Sequence, residues 1–250
     1  MSFKDYFSGH AVDYAKYRPS YPRALFEYLA SVAPGRERAW DCATGNGQAA
    51  HGLAEFFARV VATDASASQV ENAPAHERIT YRVAPAEKTD IDPGSVDLVT
   101  VAQALHWFDL DNFYSEVKRV LRPGGLLAVW SYNLLEATPA VDEKLWEFYS
   151  ETVGPYWPPE RRILEERYRT IPFPFDELKA PAFRMEARWT LPDLLGYLST
   201  WSATKRYIAA RGADPVAGIA DELLPLWGTP EEEKPVRWPL DVRAGVLPPV

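Results

Sequence analysis

Asp41, Gly45 and Gly47, within "AWDCATGNGQAA", are the residues with the most chemistry to offer. Glycine admits a positive φ and lets the backbone approach a ligand. A glycine-bearing turn between an apolar strand and a helix therefore reads as a cofactor cradle. Gly45, Gly47 and Ala50 also fit the G-x-G-x-x-G/A pattern of dinucleotide sites. Asp41 separates the two readings, because a carboxylate there repels a pyrophosphate and attracts an ammonium group. Asp64 ends the next strand, "VVATDAS", where a carboxylate can accept both hydroxyls of a ribose. An adenosine ligand that also carries an ammonium group satisfies both acids.

Ala86-Glu87 and Gln103-Ala104 follow the third and fourth strands and so line the same cleft. His106 and Trp107 come directly after them, as a substrate anchor or general base beside a pocket wall; ordinary packing competes with that reading. Trp130, Tyr132 and Asn133 lie just past the fifth strand, and Trp201, Arg206 and Tyr207 lie on a later helix that can close the pocket. Cys42 has no activating base in view and reads as an inert buried thiol. His10, His51, His76 and His106 have no ligand-like spacing, so no metal site is expected.

Strands that alternate with helical crossovers must position these groups. "RAWDCA", "RVVATDAS", "ITYRVA", "VDLVTVAQA" and "LLAVWSY" read as strands. Helices are expected from Gln48 to Ala58, from a Ser66 cap to Asn72, and over "LDNFYSEVKRVL", which "RPGG" stops. This alternation implies an α/β fold with a doubly wound, parallel sheet. "FRMEARWTL" reads as a strand, and "LPDLLGYLSTWSATKRYIAA" as helical with a break near Ser202. "VRWPLDVRAGVL" reads as the last strand, with Pro239 at a bulge or edge. The division expected is an N-terminal helical cap over 1–34 and a binding core over 35–132. A helical insertion over 133–180 follows, then strands with inserted helices over 181–250 that complete the core and pocket.

Bulk properties narrow the function. One cysteine permits no intrachain disulfide, and the first residues lack the apolar core of a signal peptide. No apolar run is long enough to span a bilayer. A soluble, cytoplasmic protein with no membrane partner is expected, as a monomer or homodimer. A net charge of -8, without basic clusters, disfavours nucleic acid. The 9 Trp and 13 Tyr suit the walls of a pocket for a small organic molecule.

Asp41-x-Ala43-x-Gly45-x-Gly47, Asp64-Ala65-Ser66, Ala86-Glu87, "SVDLVTVAQALHWFD" and "RVLRPGG" together resemble the ordered motifs of class I S-adenosylmethionine-dependent methyltransferases. The start around "YAKYRPSYP", with "HWFD", "LAVWSYN" and "YLSTWSATKRY", is similar to the branch that holds trans-aconitate methyltransferase and its small-molecule relatives. The resemblance implies a Rossmann-like, mainly parallel seven-stranded sheet with an antiparallel last strand, and S-adenosylmethionine as cofactor. By the same resemblance, Asp41 and the Gly45–Gly47 turn face the methionine moiety and Asp64 holds the ribose. Ala65 and Gln69 lie near the adenine, with Ala86-Glu87 on its other side. Gln103 or Ala104 approaches the sulfonium, and Tyr14 and Arg18 belong to the cap, Arg18 facing the methionine carboxylate. Many relatives carry glycine where this chain has Ala43, a change of one methyl that cofactor binding should survive.

The expected activity is methylation of a small-molecule acceptor, with a carboxylic acid favoured because it needs no base at neutral pH. Arg18, Lys205 or Arg206 can offer it positive charge, and the nucleobase-methylating [ND]PP[YF] tetrapeptide is replaced by "AQAL". The alternatives are an NAD(P)-dependent oxidoreductase and a non-catalytic binding protein.

Overall fold

The computed structural model describes residues 19–248. His10, Tyr14, Arg18 and the rest of the expected N-terminal cap up to residue 18 lie outside them. Helix α1 (Arg23–Val32) buries Leu25, Phe26, Leu29 and Ala30, an i, i+3, i+4 stripe laid on the sheet. Pro22 occupies its N-cap with φ −67°.

The sheet is assembled from β1 (Arg38–Cys42), β2 (Arg59–Asp64), β3 (Ile79–Val83), β4 (Val96–Ala102) and β5 (Leu121–Ser131), joined by parallel pairings in the order β3-β2-β1-β4-β5. Both faces are covered, which is why β4 reads as an almost unbroken apolar run. Two separate hydrophobic clusters fill the two faces. Crossovers α2 (Gln48–Ala54), α3 (Ala67–Asn72) and α4 (Leu110–Val120) supply the covering. Ser66 caps α3, and Asp109 caps α4, whose Phe113, Val117 and Val120 are buried. Helix α2 stops four residues short of the Ala58 expected, because Phe56 and Phe57 both donate their N–H to the Leu53 carbonyl and close the last turn.

The chain then builds α5 (Pro139–Glu147), α6 (Arg161–Glu165), β6 (Asp176–Leu178), β7 (Phe183–Trp189), α7 (Leu191–Ser199), α8 (Ser202–Arg211), α9 (Pro215–Trp227) and β8 (Lys234–Val246). The break at Thr200–Trp201 between α7 and α8 falls where expected. The sheet has eight strands rather than seven. The extra one arises because the strand beside β8 is split, with β6 pairing the second half of β8 and β7 its first half. β8 runs antiparallel to β5, from Ser131↔Asp241 to Leu126↔Val246. Pro239 pairs with Arg184 just beyond the stretch that β5 covers, so its missing N–H breaks no ladder on that side.

Many of the tryptophans serve the core, contrary to the expectation that they line a pocket. Trp40, Trp130, Trp227 and Trp238 are wholly buried. Among the described residues, no helix is long and apolar enough to cross a membrane.

Candidate active site

The loop between β1 and α2 takes the shape its glycines require. Gly45 and Gly47 have φ of +56° and +84°, the left-handed region that glycine enters at little cost. A Cβ at Gly47 would lie 2.3 Å from the Tyr81 hydroxyl, whereas one at Gly45 would meet nothing within 4 Å. The loop is thus closed on its β3 side and open at Gly45. Ala43 also has a positive φ, +54°. Its side chain therefore carries strain, about 1–2 kcal/mol for an L-residue in this region.

Asp41 is buried at the end of β1, where its Oδ1 accepts from the Thr100 hydroxyl at 2.8 Å and its Oδ2 from the Thr44 hydroxyl at 2.5 Å. Burial pushes its carboxyl up to about 6, against the lowering pull of these hydroxyls and the Ala50 N–H; Asp64 nearby adds to the rise. Asp41 therefore spends part of its accepting capacity on the loop itself. The Asp64 oxygens accept from the N–H of Gly45 and of Ser66, both at 2.9 Å, which ties the loop to the end of β2. Ala65 is exposed beside it, and Gln69 is half-buried with its N–H on the Ser66 hydroxyl. Ala86 is buried, and Glu87 accepts the Asp109 N–H, fixing the turn into α4.

Among the described residues, the Tyr81 hydroxyl and Gln103 Oε1 are buried here with no hydrogen-bond partner. Burial holds the Tyr81 phenol up at about 12, so it is a donor at neutral pH. Gln103 has φ +58° and donates through Nε2 to the Tyr132 carbonyl, leaving Oε1 as a free acceptor. An unspent donor, an unspent acceptor and the open space at Gly45 suit a ligand with both a carboxylate and an ammonium group. A glycine cradle tied to two acids is thus compatible with an amino-acid-bearing nucleoside.

Beyond the cradle, Ala104 leads into a short turn of 3₁₀ helix over Leu105–Trp107. His106 Nδ1 lies 3.0 Å from the Tyr168 hydroxyl. Burial pushes the His106 imidazole down to about 3, assisted by the charge of Arg161. Burial holds the Tyr168 phenol well above its ordinary range, so its hydroxyl stays protonated and can donate to Nδ1 of the neutral imidazole. His106 is accordingly neutral, with its remaining proton assigned to Nε2. Tyr168 reaches this position on a strained turn, since Arg167 and Tyr168 both have φ of +57°. Arg243 Nη1 braces the turn by donating to the carbonyls of Tyr168 and Ile171 at 2.7 and 2.9 Å.

The structure redistributes the expected pocket walls. Trp107 is half-buried beside His106, with ring centres 4.6 Å apart. Trp130 is a correction: it is wholly buried, with Tyr21 and Phe26 edge-on at 5.4 and 6.3 Å, and belongs to the core under α1. Tyr132 is also buried, and Asn133 donates to the Leu164 carbonyl. Trp201 is the centre of an aromatic cluster with Phe148, Tyr149, Trp157 and Tyr197. Tyr207 packs on Tyr156, and Arg206 donates to the Tyr156 carbonyl. Burial drives the Cys42 thiol well up, as befits an inert side chain. Among the described residues, no three His, Cys, Asp or Glu side chains are grouped to hold a metal ion.

Tyr149, Trp157, Arg161 and Tyr168 were not singled out from sequence. They come from a stretch with no helical or strand period, and only the fold brings Tyr168 to His106.

A mainly parallel sheet with a glycine loop between two acids at its strand ends defines a Rossmann-like fold. Residues 40–129 match a family model described as a methyltransferase domain. A protein of Dictyostelium discoideum assigned as a methyltransferase is 37% identical over 231 residues, covering 91% of this chain and 88% of that one. An uncharacterized methyltransferase of Mycobacterium tuberculosis is 34% identical, covering 71% of this chain and 67% of that one. A solved structure from Anaeromyxobacter dehalogenans, assigned as a type II methyltransferase, aligns with a TM-score of 0.89 at 51% identity, covering 93% of this chain and 99% of that one. The chain belongs to the class I S-adenosylmethionine-dependent methyltransferases. The dinucleotide reading of Gly45, Gly47 and Ala50 gives way to that membership.

Proposed function

We propose that this chain methylates a carboxylic acid of small size, as a member of the branch that holds trans-aconitate methyltransferase. The cofactor supplies an electrophilic methyl group on a sulfonium. In this reading Asp41, Tyr81 and Gln103 Oε1 hold the amino-acid end, Asp64 the ribose, and Ala65, Gln69 and Ala86-Glu87 flank the adenine. Ala104 and His106 border the methyl group, and the acceptor lies against Trp107 and the aromatic cluster around Trp201. The chain's work is alignment, which can be worth effective molarities of about 10⁵ M or more.

The observation that carries the acid reading is the state of His106. A general base works best when its pKa lies near the operating pH. His106 titrates near 3 and spends Nδ1 on Tyr168, so it is a poor base for a phenol or alcohol. A carboxylate is already ionised, since model acids titrate near about 4. Such an acceptor would accept a methyl group without giving up a proton, so the chain's residues would need only to hold and orient it. His106 Nε2–H can orient the acceptor by donating to it.

With saturating cofactor, transfer to an acid is expected to be flat above the Asp41 transition near 6 and up to about pH 9, because His106 is already a neutral imidazole throughout that range. His106→Gln should slow transfer and leave the profile flat. Rates measured with radiolabelled methyl donor across a panel of acids and phenols check this. A profile that rises through neutral pH, and that His106→Gln flattens, would overturn the acid reading in favour of base catalysis.

A further inference from the structure

We infer that Arg161 receives the carboxylate of the acceptor and so sets its specificity for anions, an inference that rests on the carboxylic-acid reading above. Helix α6, which begins with Arg161, packs on the 105–107 turn and is tied to the end of β5 by Asn133 Nδ2, which donates to the Leu164 carbonyl. It therefore spans the ends of β4 and β5, on the His106 side of the cradle.

The Arg161 guanidinium is held in place before any ligand arrives. It stacks over the Trp157 ring at 4.6 Å and the Tyr149 ring at 5.5 Å, and its Nε donates to the Tyr149 hydroxyl at 2.9 Å. The Tyr149 hydroxyl in turn donates to Glu165 Oε1. Trp201 packs against both rings, so the guanidinium's platform is anchored in the cluster between α5, α6 and α8. Among the described residues, no carboxylate lies within 4.0 Å of the guanidinium nitrogens, and Nη1 and Nη2 make no hydrogen bond. Other arginines in this stretch are spent differently: Arg162 pairs with Glu166 and Arg167 with Asp241.

A half-buried cation that is stacked, oriented and left with its two terminal donors unused is a site for a planar anion. Its charge reaches the active-site end of the cleft, where it lowers His106 and Tyr168 alike. A carboxylate accepting from Nη1 and Nη2 would give this guanidinium a direct counter-ion. In a protein of net charge -8, such a local cation also distinguishes an acid from its neutral analogues. Of the cations suggested by sequence, Arg206 is turned to the Tyr156 carbonyl.

The test uses the full chain, a panel of aliphatic and aromatic mono- and dicarboxylates, and their primary amides. Arg161→Gln should raise the KM for acids by about tenfold to a hundredfold, the worth of a lost charge-assisted hydrogen bond. It should leave S-adenosylhomocysteine affinity and the melting temperature near wild type. Arg161→Lys should restore part of the loss, because it keeps charge without the planar fork. Acid transfer with an unchanged KM in Arg161→Gln would overturn the role of Arg161 while leaving the acid reading intact. Transfer to amides but not acids would overturn both. Indole fluorescence, titrated with the same acids in saturating S-adenosylhomocysteine, reads the site without turnover. A change on Trp157 and Trp201 that Arg161→Gln abolishes supports the proposal, and an identical response in both proteins contradicts it.

Discussion

Asp97→Ala is expected to cost the fold about 3–5 kcal/mol, the usual effect of removing one partner of a buried ion pair. A loss of that size is a large share of the roughly 5–15 kcal/mol that holds an ordinary domain together. Asp97 is wholly buried on β4 and pairs through Oδ1 with Arg122 Nη1 on β5 at 2.8 Å. Its Oδ2 accepts the N–H of Glu37 and of Arg38, both at 2.9 Å, where β1 begins. One carboxylate thus ties the entrances of β1, β4 and β5 together, at the end of the sheet opposite the active site. Alanine leaves two N–H groups and a guanidinium without their acceptor. Asp97→Asn retains an acceptor for the N–H groups and should cost less. Urea unfolding measures both, and an Asp97→Ala midpoint equal to wild type would refute this account of the strand entrances.

Gly47→Ala should act at the other end of the same strands and weaken S-adenosylhomocysteine binding by at least about tenfold, or ~1.4 kcal/mol. Two effects add. Any side chain at φ +84° costs about 1–2 kcal/mol. The new Cβ would also stand 2.3 Å from the Tyr81 hydroxyl and 3.1 Å from Cζ, so Tyr81 must move away from the loop. Pairing the substitution with Tyr81→Phe removes the hydroxyl and should recover part of the affinity. The backbone strain would remain. Calorimetric titration of the single and double variants separates the two, and an undiminished affinity in Gly47→Ala would mean that the loop does not form the cofactor site.

The cradle was legible in the sequence because it is local. Strand, glycine turn and helix follow one another within a dozen or so residues, and each obeys a short-range rule of turn chemistry or burial. β1, β2, β4 and β5 were legible for the same reason: a parallel strand covered on both faces is an apolar run with clear ends. The eighth strand was not, since β6 is three residues long and becomes a strand only by pairing with β8. Trp130 misled because position at a strand end does not say which face a side chain takes; it faces α1. Tyr168 and Arg161 were hidden more deeply. Residues 148–175 have no regular period, and their placement depends on a strained turn braced by Arg243, far along the chain. Local patterns found the glycine loop and its two acids, and long-range packing brought Tyr168 and Arg161 beside His106.

Asp41 shows how the structure refines a sequence argument. Its charge was read as the feature that selects an ammonium group. The structure adds that it already serves Thr44, Thr100 and the loop backbone, so it shapes the cradle as well as charging it.

The account is tested most directly by calorimetric titration of the full-length protein with S-adenosylhomocysteine and, separately, with NADH. One S-adenosylhomocysteine should bind per chain, with affinity reduced at least about tenfold, or ~1.4 kcal/mol, in Asp64→Ala, and NADH should give no binding heat. Binding of NADH without S-adenosylhomocysteine, or an Asp64→Ala affinity equal to wild type, would contradict the placement of the cofactor at this loop.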